Sequence, residues 1–260
     1  MKAMMINSAV IYALAFNLIF FIQEVFLVIG KKVLGLESYL YHNNHTWSGQ
    51  HPDELLMQGA GALGIFILGL LCSILFNYLK HVGSQIRLFI LWMGFHGIIQ
   101  SLPQIVVAYL EPKTDVGQAL VDYLQLSELV LIILAIAAIL SIPAYCYWIG
   151  RQLLGFVSSE EYISNPRFRS IFIKYIGVGA ALLGTLLIIP FRLPPLTQVI
   201  SPILVMLISI PWVWVLASIH KEVESMTSTT LNDKVLWTPV ILLILLLIFF
   251  QGVLSKGVSF

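Results

Sequence analysis

Charged residues are scarce in this chain, and their scarcity excludes a soluble globular domain of ordinary composition. Only 10% of the 260 residues are Asp, Glu, Lys or Arg, whereas about 25% is usual in soluble domains. Hydrophobic residues make up 59% of the chain, and the mean hydropathy is +0.93. We therefore predict that lipid surrounds most of the chain, and the lipid bilayer is its first expected partner.

Signatures of several other protein classes are missing. The Lys and Arg residues are scattered and the net charge is only +1, so we expect no nucleic-acid partner. The two cysteines, Cys72 and Cys146, lie inside apolar runs, where we interpret them as packing residues. A G-x-S-x-G nucleophile elbow and a Walker-type loop are both absent. Six histidines are too few for a desaturase-like di-iron centre.

Seven apolar segments approach the roughly 20 residues that a membrane-spanning helix needs. Their approximate bounds are 8–30, 56–78, 88–110, 124–148, 172–190, 198–219 and 235–254. The fold class is therefore all-α, a polytopic transmembrane helical bundle that forms a single integral membrane domain over residues 1–260. The first segment exceeds a signal-peptide core of roughly 7–15 residues, so we interpret it as a span. If the fifth and sixth segments form a re-entrant pair around the prolines at 194–195, the count is six.

Basic residues beside the spans predict the orientation, because Lys and Arg are retained on the cytoplasmic side. With seven spans, nine of the 14 basic residues fall on the side of the N-terminus and five on the other. We therefore expect a cytoplasmic N-terminus, an outer loop at 31–55 and a cytoplasmic segment at 150–171. Within that segment, Ser158-Ser159-Glu160-Glu161 is typical of a helix start. The expected location is a bacterial inner (plasma) membrane.

Ionisable groups inside spans are costly, so each indicates a site until another role is found. Glu24 lies in the first span beside Gln23, and Asn17 shares its helical face. We predict that Glu24 binds a proton or cation, or acts as a catalytic acid or base. The structural alternative is a carboxyl group that is hydrogen-bonded across a helix interface.

A polar stripe follows one face of the third span, where His96, Gln100 and Gln104 are four residues apart. The stripe should face protein, with Gln104 at about the depth of Glu24. For His96 the structural alternative is an interior histidine that binds nothing. Gln58 and Glu128, near the starts of the second and fourth spans, should lie on the same outer side. We predict that these residues and Gln23 line a binding site for a small molecule or an ion.

The outer loop holds His42, His45 and His51, half of the histidines in the chain. Imidazoles with such short separations can complete a zinc-like site together with a carboxylate. The three histidines are therefore candidate metal ligands, with zinc as the candidate cofactor. The alternative is that these are solvated loop histidines.

The motif Phe21-Ile22-Gln23-Glu24-Val25-Phe26-Leu27 resembles the H-E-x-x-H helix of site-2-protease-like membrane metallopeptidases. A glycine-rich second helix at Gln58–Gly69 and the motif Thr114-Asp115-Val116-Gly117 follow in a similar order. The resemblance implies that Glu24 is the general base and that Asp115 is a zinc ligand. However, Gln23 and Leu27 stand where the two zinc-binding histidines are expected, so the standard zinc centre is not matched. A working protease would need replacement ligands, such as His96 or the loop histidines.

Three functional hypotheses follow. The first is a transport or binding protein that uses the outer polar site, and the second is a divergent metallohydrolase with Glu24 as its base. The third is a scaffold subunit that binds partner membrane helices through small-residue faces. The glycines of those faces are Gly59, Gly61, Gly64, Gly69, Gly177, Gly179 and Gly184.

Overall fold

Seven long apolar helices make up most of the protein. The structure is a computed structural model that describes residues 1–157, 164–219, 231 and 234–260. The helices that are long and apolar enough to cross a membrane are α1 (Lys2–Val33), α2 (Leu56–Tyr78), α3 (Ser84–Leu110), α4 (Glu128–Leu154), α5 (Pro166–Arg192), α6 (Leu196–Ile219) and α7 (Trp237–Lys256). The predicted all-α bundle of about seven spans is confirmed. The six-span alternative is not supported, since α5 and α6 have 27 and 24 residues and are each long enough to cross.

Several helices extend beyond the predicted apolar segments. Because backbone hydrogen bonds do not depend on apolar side chains, α1 begins at Lys2 rather than near Ser8. The helix α5 begins at Pro166, where the Asn165 side chain caps it by accepting a hydrogen bond of 2.9 Å from the Arg167 amide. The helix start predicted at Ser158-Ser159-Glu160-Glu161 lies outside the described residues.

Four helices include turns of other kinds. The ends of α2, α6 and α7 contain 3-10 turns, and α5 contains a π-helical stretch. A short helix and a π-helical turn also connect α3 to α4. These elements are Leu56–Gly59, Leu196–Val199, Leu254–Lys256, Lys174–Gly179, Asp115–Gly117 and Gln118–Tyr123.

A small antiparallel sheet lies where a loop was expected between α1 and α2. Its strands are β1 (Glu37–Leu40), β2 (His45–Ser48) and β3 (Val258–Ser259), in the order β2-β1-β3. Since β1 follows α1 and β3 follows α7, these two helices end on the same side of the bundle, which we call the hairpin end. At the opposite end, the Asn7 side chain binds the backbone at Lys234 and Leu236, next to the start of α7.

The helices α1 and α3 form the centre of the bundle, and α7 is the least buried span. The helix α1 packs on α2, α3, α5 and α7. The helices α2 and α3 approach so closely that a Cβ atom on Gly97 would lie 2.6 Å from the Gly69 Cα atom. Polar side chains on α1 and α3 therefore face protein rather than lipid.

Candidate functional site

Glu24 and His45 form a buried pair at the hairpin end. Glu24 is only 6% exposed, and its Oε2 atom lies 2.9 Å from Nδ1 of His45, the first residue of β2. The other ring nitrogen of His45, Nε2, lies 3.2 Å from Oε1 of Gln58 in the first turn of α2. Both ring nitrogens thus face oxygen acceptors, which suits the doubly protonated ring. A neutral His45 ring has one nitrogen that only accepts, so it would fit only if Gln58 were rotated to present its NH2 group to Nε2.

The surroundings of His45 favour its charged form. Burial lowers the pKa of His45, but the hydrogen bond and negative charge of Glu24 raise it, with further contributions from Asp115 and Gln58. The net effect is a pKa above the ordinary histidine value. His45 therefore binds a proton more tightly in the folded protein than in the unfolded chain.

Lys31 and Trp47 cover the other side of this pair. The Lys31 ammonium donates a hydrogen bond to the backbone carbonyl of Glu54 and lies 4.0 Å from the centre of the Trp47 ring. The Trp47 ring in turn stacks on the His45 ring, with centroids 5.8 Å apart. A cation over an indole face is a favourable contact. It helps to hold Lys31 beneath the hairpin that β1 and β2 form.

Arg192, at the end of α5, is a second buried cation of the hairpin end. It donates hydrogen bonds of 3.2 Å to the side-chain oxygens of Asn17 and Asn43, and its guanidinium lies 3.5 Å from the centre of the Phe20 ring. Glu24 is the acidic group whose charge acts on it. Arg192 therefore ties α1, α5 and the hairpin turn together.

A cavity of about 480 Å³ lies beside this cluster, between α1, α3 and α6. Its polar lining comes from both predicted and unpredicted residues, namely Gln23, Gln100, Gln104, Thr114, Asp115, Gln198 and Ser201. Its apolar lining comes from Phe20, Ile99, Pro103, Val107, Val116, Leu204, Val205 and Ile208. The volume lies within the range of roughly 300–1,000 Å³ that is typical of ligand sites.

Gln104 of α3 contacts Gln23 rather than Glu24. The Nε2 atom of Gln104 donates to Oε1 of Gln23 over 3.1 Å, and also to the backbone oxygen of Gln100. Gln100 is 8% exposed, and none of the described residues accepts a hydrogen bond from its Nε2 atom. Gln100 thus lines the cavity and carries a buried amide donor without a partner among the described residues.

Asp115 joins the cavity to the buried pair. It lines the cavity, and its charge acts on both His45 and Lys31. Burial raises the pKa of Asp115, the positive charges of His45 and Lys31 lower it, and Glu24 raises it, with a net increase. A positively charged or hydrogen-bond-donating group in the cavity would therefore stabilise the Asp115 carboxylate.

Two predicted site residues lie apart from this cluster. His96 is fully buried among aromatic rings, with centroids 4.3 Å from Tyr12 and 5.2 Å from Phe16, deeper in the bundle than Gln104. Glu128 is exposed at the start of α4. Neither residue contacts the cavity or the Glu24–His45 pair.

The predicted metal ligands have separate partners. His42 contacts the Pro194 carbonyl over 3.2 Å, whereas Nδ1 of His51 accepts from the Asp53 amide over 3.1 Å. His45 is held by Glu24 and Gln58. In the part of the chain that the structure describes, no group of three or more His, Cys, Asp or Glu side chains is placed to hold a metal ion. The described residues, including the predicted ligands, therefore do not come together as a zinc centre.

Residue patterns missed several members of the cluster. Arg192, Lys31 and Asn43 were interpreted as flanking or loop residues, and Gln198 received no role. A useful signal was present: a buried Glu24 needs nearby positive charge, and Lys31 and Arg192 are two of the five basic residues predicted at that end of the spans. The partners of Arg192 come from two segments that are distant in sequence, α1 and the turn between β1 and β2, and local patterns cannot reveal them.

The fold defines a class of protein, a multi-pass helical membrane protein with a polar cluster buried at one end of its bundle. Comparisons with family models, with curated proteins and with solved structures find no match for this chain. Its function must therefore be inferred from the site itself.

Proposed function

We propose that this membrane protein binds a small ligand in the cavity at the hairpin end, as a binding or transport protein. Gln100 and Asp115 are the contacts, and the Glu24–His45 pair behind them is a proton-binding group that responds to the ligand. In this proposal the hairpin end lies on the outer side of the membrane, which the excess of basic residues near the other end supports.

One observation carries the proposal: Gln100 lines a cavity, and its buried Nε2 donor has no acceptor among the described residues. An unsatisfied buried donor costs about 1–3 kcal/mol. Gln104, one turn along the same helix, satisfies its donor within the protein. A ligand that offers an oxygen acceptor to Gln100 would remove the penalty.

The position of Asp115 supports a coupling between ligand binding in the cavity and protonation of His45. A ligand group that donates to the Asp115 carboxylate holds this side chain in its ionised form, and that negative charge favours protonated His45. By thermodynamic linkage, a change in the protonation of His45 then changes ligand affinity by the same factor. This reciprocity is the property expected of proton-coupled binding.

Mass spectrometry of the gently purified protein tests the proposal. Small molecules are released from the protein by denaturation and compared between wild type and Gln100→Met. We expect a compound that is released from wild type and reduced at least tenfold in the variant. Gln152→Met is the matched control, since Gln152 in α4 is also 8% exposed but does not line the cavity. Equal release from all three proteins, or no released compound, would overturn the proposal.

A divergent metallohydrolase related to site-2-protease-like enzymes is the second candidate. The observation that favours it is the contact between Glu24, the proposed general base, and His45. Metal analysis of protein purified without chelators separates the two candidates. About one zinc ion per chain in wild type, lost in His45→Gln and retained in His81→Gln, would favour the enzyme. A metal-free preparation would leave it without support.

The scaffold hypothesis remains a third proposal. The glycines of α2 that were expected to bind partners pack within the chain, since Gly61 faces Leu27, Gly64 faces Phe26 and Gly69 faces Gly97. A partner helix would therefore need another surface. Purification in a mild detergent should yield a stoichiometric partner if the protein is a scaffold, and a lone chain if it is not.

A further inference from the structure

Apolar side chains that line the cavity on α3 and α6 are exposed on the surface of the bundle. Two of them, Val107 on α3 and Leu204 on α6, are 41% and 48% exposed. In a membrane protein, exposed apolar side chains within the spans face acyl chains. The helix α3 packs mainly on α2 and α4 and meets α6 only weakly. The gap between these two helices therefore joins the cavity to the lipid phase.

The lining of the cavity is mainly polar toward the hairpin end and mainly apolar deeper, where Gln23 and Gln100 are its polar members. Thr114 and Asp115 lie beyond the end of α3, and Gln198 lies in the first turn of α6. At the other extreme, Ile99 lies about 16 Å below the end of α3, from the helical rise of about 1.5 Å per residue. Leu204 and Ile208 continue the apolar part along α6. A mainly polar upper part and a mainly apolar lower part match the order of head group and acyl chain in a lipid.

We propose that the ligand is a membrane lipid from the leaflet at the hairpin end, which enters between α3 and α6. The inference rests on the proposed function of the same cavity and names the ligand class. The acyl chains lie along Ile99, Leu204 and the opening, and the head group lies near Asp115. Gln100, deeper than Asp115, donates its free Nε2 hydrogen to an ester carbonyl oxygen, which in a lipid lies below the head group.

The charge of the lining selects among lipids. Asp115 is the charged side chain among the described residues that line the cavity. A head group that ends in an N–H or O–H donor can bind the Asp115 carboxylate, whereas a quaternary ammonium offers no such donor. The lipid therefore carries an amine or a hydroxyl group at the end of its head group.

Native mass spectrometry in lipid nanodiscs tests this inference. The probes are phosphatidylethanolamine, phosphatidylglycerol and phosphatidylcholine of identical acyl chains, presented in equal amounts. We expect retention of phosphatidylethanolamine or phosphatidylglycerol to exceed that of phosphatidylcholine by at least tenfold. Whichever of the two is retained identifies the donor as N–H or O–H. Equal retention of phosphatidylcholine would overturn the assignment of the head group.

A paired substitution tests the sideways entry. Leu204→Trp fills the opening and should reduce lipid retention at least tenfold, whereas Leu207→Trp, on a side chain that is also exposed on α6 but does not line the cavity, should leave it unchanged. A water-soluble compound that is lost in Gln100→Met but retained in Leu204→Trp would overturn the lipid proposal and leave the binding function intact. Absence of any compound that depends on Gln100 would overturn both.

Discussion

Glu24 in α1 and His45 in the hairpin are joined by a hydrogen bond of 2.9 Å between Oε2 and Nδ1, within a cluster that also holds Lys31 and Arg192. This contact explains how a carboxylate is accommodated inside a span. Its charge is opposed by cations from α1, α5 and β2, and its hydrogen bond is directed away from lipid. The pair also fixes the hairpin on the end of the bundle.

Glu24→Gln should destabilise the protein. The substitution keeps the shape of the side chain but removes the negative charge that faces His45 and Arg192, so we expect the free energy of unfolding to fall by about 1–3 kcal/mol. Unfolding in mixed detergent micelles measures the change. Glu111→Gln, at an exposed carboxylate, is the control and should change stability by about 0.5 kcal/mol or less. Equal effects of the two substitutions would argue against a special role for Glu24.

The stability provided by His45 should decrease as pH rises. Since its pKa is raised in the folded protein, the contribution is fully present below the unfolded value, which is about 6.5, and is lost as pH rises through the folded value. The advantage of wild type over His45→Gln should therefore shrink from pH 6 upward. The same pH series is repeated in proteins that also carry Asp115→Asn. This substitution removes the neighbouring carboxyl group, so that its titration cannot contribute to the difference. A difference that grows with pH would contradict the assignment.

Arg192 and Glu24 should be energetically coupled. Removing the cation by Arg192→Met leaves Glu24 with less compensating charge, so the double variant with Glu24→Gln should be less destabilised than the sum of the single variants. We expect a coupling energy of about 0.5–3 kcal/mol from a double-mutant cycle. Arg87→Met, at the other end of α3, should show no coupling with Glu24→Gln. Additive effects for Arg192 would mean that the two charges do not interact.

Gly97→Ala should separate α2 from α3. The added methyl group would lie 2.6 Å from the Gly69 Cα atom and from the Ile65 carbonyl oxygen, and rigid backbone cannot move aside without shifting a helix. We expect destabilisation of about 1–3 kcal/mol, typical of overpacked interiors. Gly83→Ala has no atom within 4 Å of the new methyl group and serves as the control. A neutral Gly97→Ala would show that the two helices lie farther apart.

The number of spans was predictable from composition, because burial in lipid requires long apolar segments whatever their partners. The helix ends were less predictable, since α1 and α5 continue through polar residues such as Lys2 and Arg167. The pairing of β1 with β3 joins the segment after α1 to the segment after α7. A contact between such distant segments leaves no trace in local periodicity.

The candidate site was predicted in part. The expectation that Glu24 and the α3 glutamines turn away from lipid agrees with their burial at the hairpin end, and Gln104 does reach α1. However, its partner there is Gln23, and Glu24 pairs with His45 instead. Helical spacing predicts which residues share a face, whereas the rotation of neighbouring helices and the path of the hairpin decide which side chains meet.

An experimental density map of the protein in lipid nanodiscs would test the central claim most directly. We predict non-protein density in the cavity between α1, α3 and α6, within hydrogen-bonding distance of the Gln100 amide and the Asp115 carboxylate. A closed cavity, with the Gln100 side chain hydrogen-bonded to a protein acceptor, would contradict the account.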